Sequence, residues 1–146
     1  MTEIAFHFGA PDKIAYVCRL LRKAVASGAH VEVVSDVPTR QRLNADLWAL
    51  SPTDFLVHCD EGASSLVREF SAVLMTSTPS QEHGRRPVLV NLCETVPPGF
   101  DRFQRLIEVV CTDEADRQHA RNRWKYYAQA GYKIVRHDLA LKSNTQ

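Results

Sequence analysis

At 146 residues the chain has the usual length of one domain, and it is large enough to bury a core without disulfides or metals. Eighteen basic residues against seventeen acidic ones leave a net charge of +1, which argues against a generally cationic nucleic-acid binder. No window approaches the ~18 apolar residues of a membrane span. The opening MTEIAFHF lacks the charged and apolar regions of a secretory leader, so a cytoplasmic protein with reduced thiols is expected.

Glu3–Phe8 is a short run of strand formers. Asp12 or Pro11 then opens a helical pattern, with Ile14, Val17, Cys18, Leu21, Ala24 and Val25 recurring at three and four residues until Gly28. His30–Ser35 reads as a second strand, and Pro38 starts a second helix through Leu43 and Leu47. Strand, helix, strand and helix joined by short connections predict a parallel α/β sheet. Phe55–His58 and Ala72–Thr76 look extended, and the proline-flanked Ser77–Pro87 is a loop. Val88–Leu92 and Leu106–Cys111 read as buried strands separated by a VPPGF turn. Thr112 is placed as the cap of a helix running to about Ala130, with Asp113, Glu114 and Asp116 at its positive end. Gly131 stops that helix, and Tyr132–Val135 is a last strand. No repeat, linker or second domain interrupts residues 1–146, although the last few residues read as a flexible tail.

A parallel sheet raises the question of nucleotides. The first strand–helix turn, Phe8-Gly9-Ala10-Pro11-Asp12, offers one glycine and so neither a G-x-G-x-x-G turn nor a phosphate cradle. Six histidines and four cysteines invite a metal, but no pair has zinc-ligand spacing. His58 and the adjacent Cys59 would point to opposite faces of a strand. No cofactor or metal is therefore expected. Cys93 ends a buried strand, where α/β enzymes place nucleophiles, but a thiol nucleophile also needs a base such as His58 or His137 within reach. The plainer reading of Cys93 is a packed thiol. A small cysteine-dependent or nucleotide-using enzyme is the principal catalytic alternative.

Arg117–His137 (RQHARNRWKYYAQAGYKIVRH) carries six basic residues and no acid. On a helix, Arg117, Arg121, Trp124 and Lys125 fall within an arc of about 80–100°. Ala120 and Tyr127 occupy the neighbouring stripe and should face the sheet. An aromatic ring beside convergent cations suits a ligand with an apolar group and a carboxylate. The same pattern also fits a solvated helix face whose cations serve nothing but solubility and the helix dipole. Direct binding of single-stranded nucleic acid through Trp124 is a further alternative, disfavoured by the near-neutral charge.

Three phrases taken together carry a family resemblance. Asp46-Leu47-Trp48-Ala49-Leu50-Ser51-Pro52 with Phe55-Leu56-Val57-His58 is the first, and Arg86–Leu92 (RPVLVNL) is the second. Ala120–Tyr127 (ARNRWKYY) followed by Ala130-Gly131-Tyr132 is the third. In order and spacing they resemble the chi subunits of bacterial DNA polymerase III, over essentially the whole chain. The resemblance implies a single-domain, three-layer α/β/α sandwich with a mostly parallel central sheet and no catalytic activity. It implies a site for the acidic C-terminal tail of the single-stranded-DNA-binding protein (SSB) at Arg117, Arg121, Trp124 and Lys125, with the apolar floor of that pocket unassigned. It also implies a second surface, at Trp48 and Phe55, for the psi subunit of the clamp loader or a repair helicase. DNA would then be reached only through these partners.

Overall fold

The computed structural model describes residues 2–48, 58–60, 72–79 and 86–139. Within them run β1 (Glu3–Ala10), α1 (Lys13–Ala26), β2 (Val31–Val34), α2 (Val37–Trp48), β3 (His58–Asp60), β4 (Val73–Thr76), β5 (Val88–Asn91), a 3-10 turn (Phe100–Arg102), β6 (Arg105–Cys111), α3 (Glu114–Gln129) and β7 (Ile134–Asp138). The seven strands form one sheet in the order β3-β4-β2-β5-β6-β1-β7, and every pairing is parallel. The α/β sandwich read from the sequence is therefore the fold.

Each described helix begins where a short acidic side chain can satisfy otherwise unpaired amides. Asp12 accepts from the Ala15 amide at 3.2 Å, and Asp36 accepts from the Thr39 amide at 2.8 Å. At α3 the cap is Asp113, which accepts from the Asp116 amide at 3.2 Å, and not Thr112 as expected. A carboxylate at this position adds charge complementarity to the helix dipole, which a hydroxyl cannot. Gly131 has φ of 88°, a left-handed conformation that glycine adopts without strain and that turns the chain out of α3 into β7. The last strand begins at Ile134, two residues later than the apolar pattern placed it, because Tyr132 instead packs edge-on against Phe100 at 5.2 Å.

Alternation along the central strands divides the core into two layers. Ile107 and Val109 of β6 join Val31, Val33, Val73, Met75 and Val90 beneath Val17, Cys18 and Leu21 of α1 and Leu43 and Leu47 of α2. Leu106 and Val110 face the other way and join Ile4 and Phe6 of β1, Leu89, Phe100, Phe103 and, from α3, Ala120 and Tyr127. Among the described residues, α1 and α2 thus cover one face and α3 covers the other. Leu21, Val17, Leu106 and Tyr127 are all fully buried. Each such side chain contributes about 1.5–3 kcal/mol relative to an exposed one. No helix among the described residues is long and apolar enough to cross a membrane.

Charged residues also enter this core. Glu108, in the middle of the apolar run LIEVVC, is 0% exposed, and Arg123 on α3 is 2% exposed. The Arg123 Nε donates to Glu108 Oε1 at 3.0 Å, and the Tyr127 hydroxyl donates to Glu108 Oε2 at 2.5 Å. Asn91 Nδ2 lies 3.0 Å from both carboxylate oxygens. Arg123 Nη1 continues to the carbonyl of Glu94 at 2.9 Å, so one network ties α3 to β6, β5 and the turn after it. Burial pushes the Glu108 carboxyl above its ordinary value, opposed by the Arg123 charge and the donated hydrogen bonds. Burial also raises the Tyr127 phenol, reinforced by the Glu108 charge beside it. Arg123, one of the six basic residues of Arg117–His137, is an internal fastening.

Candidate functional site: an aromatic cleft with cationic walls

Parallel pairing of β1 with β6 on one side and β7 on the other brings three distant segments under α3. The result is a cleft of about 700 Å³. Its apolar lining comes from Phe6 and Phe8 of β1, Val110 of β6, and Ala120 and Trp124 of α3. Gly9 shares the lining and has φ of 83°, and the β1–β6 register shifts between Phe8 and Ala10. Such a bulge at a strand end re-aims the neighbouring side chains at a site. Trp124 is half-buried and leans on Phe6, with ring centroids 5.0 Å apart.

All four residues assigned to one ligand site, Arg117, Arg121, Trp124 and Lys125, line this single cleft. Two of the cations already have partners on their own helix. Arg121 Nη1 donates to Glu114 Oε1 and Gln118 Oε1, each at 3.1 Å, and Arg117 Nη1 lies 3.6 Å from Glu114 Oε2. These pairs are about half exposed, where an ion pair is worth about 0–1 kcal/mol and exchanges readily for another anion. Lys125 makes no ion pair among the described residues.

Sequence reasoning missed the floor and the far wall. Phe6, Phe8 and Val110 belong to strands whose apolar pattern announces only burial. Arg136 and Asp138 also line the cleft, from β7. The Arg136 guanidinium carbon sits 4.8 Å from the Phe8 ring centroid. Arg136 had been counted among the cations of Arg117–His137 without a place in the site. Only the β7–β1 register, in which Phe6 pairs with Arg136 and Phe8 with Asp138, brings it there.

Asp116 anchors the start of α3 beside the cleft. It accepts from the Cys111 amide at 2.9 Å and pairs with Lys13 of α1 at 3.1 Å. Burial would raise its carboxyl, but the Cys111 amide and the Lys13 ammonium outweigh burial and hold it below the ordinary carboxylate value.

The described cysteines differ in burial. Cys18 is buried, Cys93 and Cys111 are half-buried, and all three are free thiols. Cys59 has no described side chain. Burial pushes Cys18 up to about 11, and burial also raises Cys93, with Asp36 and Glu108 adding to it. A raised thiol is a poor nucleophile at neutral pH. His137 packs at a tilt against His7, with ring centroids 4.6 Å apart, in β7, three strands from β5, which is roughly 14 Å at the usual strand spacing and too far to serve Cys93 as a base. Cys111 lines the cleft, so indifference of ligand binding to thiol alkylation is expected only of Cys18 and Cys93. No group of three potential metal ligands gathers among the described residues. Trp48 is the last residue of α2, but its side chain and the whole of Phe55 lie outside the described residues.

Fold and site together define a small parallel α/β/α domain carrying an aromatic cleft between cationic walls. The family model described as DNA polymerase III chi subunit, HolC, matches residues 1–135, and the chain belongs to that family. It is 30% identical over 130 residues to the DNA polymerase III subunit chi of Pseudomonas aeruginosa, covering 87% of each chain. Among solved structures it resembles the S. cerevisiae Dbp5 C-terminal domain, in its complex with Gle1 and IP6, with a TM-score of 0.61. That likeness covers 94% of this chain and 90% of the other, and at 13% identity it concerns the fold alone.

Proposed function

We propose that this chain is a non-catalytic, cytoplasmic adaptor of a bacterial DNA polymerase III. It links the clamp loader, through the psi subunit, to the acidic C-terminal tail of SSB during DNA replication. The observation that carries the reading is the cleft. Phe6, Phe8, Val110 and Trp124 offer an apolar seat for a terminal phenylalanine, and cations stand on both sides for its carboxylate and the preceding acids. A buried phenyl ring contributes roughly 1.5–3 kcal/mol, and a charge-assisted bond to the terminal carboxylate about as much again, ~1.5–3 kcal/mol. Ordering a flexible tail offsets much of this, which leaves an affinity on the order of micromolar. Titrating the full chain into a fluorescent tail peptide, with and without its terminal phenylalanine, tests the reading by anisotropy. Salt-sensitive binding that depends on the phenylalanine is expected. Equal binding by both peptides overturns it.

The same proposal gives Trp48 and Phe55 to the second partner surface, for psi or a repair helicase. Replacing either by alanine is expected to abolish capture of that partner while leaving the tail titration unchanged. Loss of both activities together, with an unfolded variant, would make them core residues instead.

A further inference from the structure

The cleft has two walls of different electrostatic character, and the α3 wall is the one whose arginines are already engaged. Arg117 and Arg121 are turned towards Glu114 and Gln118. On the opposite wall, β7 presents Arg136 and Asp138 on the face of the sheet that carries Phe6 and Phe8. Asp138 is the one carboxylate in the cleft lining among the described residues, and it disfavours an acidic ligand. Arg136 offsets it and makes no ion pair of its own among the described residues. Its guanidinium is instead stacked over the Phe8 ring, which fixes the planar fork while leaving its edge open for hydrogen bonding.

We infer that Arg136 is a specificity-determining residue of the cleft, receiving a carboxylate of an acidic, aromatic-ended peptide from the side opposite α3. This rests on the peptide-binding reading given above and adds a site residue to it. The stack on Phe8 places the cation beside the seat of the aromatic group, so one ligand can meet ring and charge together. An arginine held in this way loses little freedom on binding, whereas a lysine has no planar face to stack.

The test uses the full chain as wild type, Arg136→Ala and Arg136→Lys. Each is titrated with two labelled peptides, one acidic and ending in phenylalanine, the other with its side-chain carboxylates replaced by amides. For the acidic peptide, Arg136→Ala is expected to weaken binding about three- to tenfold and to flatten the salt dependence. Arg136→Lys should recover only part of that loss. If the side-chain acids supply the carboxylate, the penalty of Arg136→Ala shrinks for the amidated peptide. If the penalty persists there, amidating the C-terminus as well must remove it. Arg136 is exposed, so an unchanged unfolding midpoint for Arg136→Ala is the folding control. Wild-type binding with Arg136→Ala within twofold of it, at low and high salt, overturns the inference and leaves the peptide reading intact. Absence of any wild-type binding to the acidic peptide overturns both.

Discussion

Replacing Arg123 by alanine is expected to remove about 3–5 kcal/mol of folding stability. The cost comes from what remains. Glu108 stays 0% exposed with its charge no longer matched, and the Glu94 carbonyl loses its donor. Against a typical total of about 5–15 kcal/mol, this is a large fraction, and it should appear as a much lower urea midpoint. The pair itself need not be a strong net stabiliser, because desolvating two charges consumes most of their attraction. The double variant Arg123→Met with Glu108→Gln should therefore recover much of the loss, since the glutamine still offers an acceptor to the Tyr127 hydroxyl. A coupling of about 0.5–3 kcal/mol between the two sites is expected from the cycle. A single-variant cost below ~1 kcal/mol would show that the network is not closed to water in solution.

Trp124→Ala should have the largest effect of any single cleft variant on the tail-peptide titration. The ring stands between Phe6 and the opening, so its removal takes away one side of the apolar seat and lets water reach the rest. Losing the burial of one aromatic contact, ~1.5–3 kcal/mol, corresponds to roughly ten- to a hundredfold in affinity. Trp124→Phe keeps an aromatic surface and should stay within a few-fold of wild type. The planar fork of Arg121 suits a terminal carboxylate better than the Lys125 ammonium does. The tie of Arg121 to Glu114 and Gln118 lowers the gain it can make, because binding a ligand then exchanges partners where Lys125 acquires one. Unimpaired binding by Trp124→Ala, with the terminal phenylalanine still required, would place the ring of the ligand elsewhere.

Much of the architecture is legible in the chain because local signals and burial agree. Asp12 and Gly28 bracket α1, its apolar stripe repeats at three and four residues, and VLVN and LIEVVC have the density of doubly covered strands. The α3 wall of the cleft was legible for the same reason, since helical spacing alone gathers Arg117, Arg121, Trp124 and Lys125. Arg123 was left unassigned although its position carried a signal. It falls at helical spacing between Ala120 and Tyr127 on the inward stripe, while Glu108 interrupts an otherwise apolar strand. Two opposite charges at core positions predict each other. The floor and β7 wall were not legible. Phe8 and Arg136 meet only because strands more than a hundred residues apart pair in parallel, and no local pattern encodes that register.

The position of β1 beside β6 and β7 has a consequence for how the protein is made. Strand β1 pairs Glu3 with Arg105 and Ile4 with Ile134, so both of its neighbours are translated about a hundred residues or more after it. Until then its apolar face has no native cover, and at about 5–20 residues per second that interval lasts for several seconds or more. Contacts so distant in sequence also slow the search after release, because a long loop must close before any of them forms. The half of the sheet holding β2, β4 and β5 can assemble early from nearer segments. The half that makes the cleft is completed last, and a chain truncated before Ile134 would lack the β7 edge of β1 altogether.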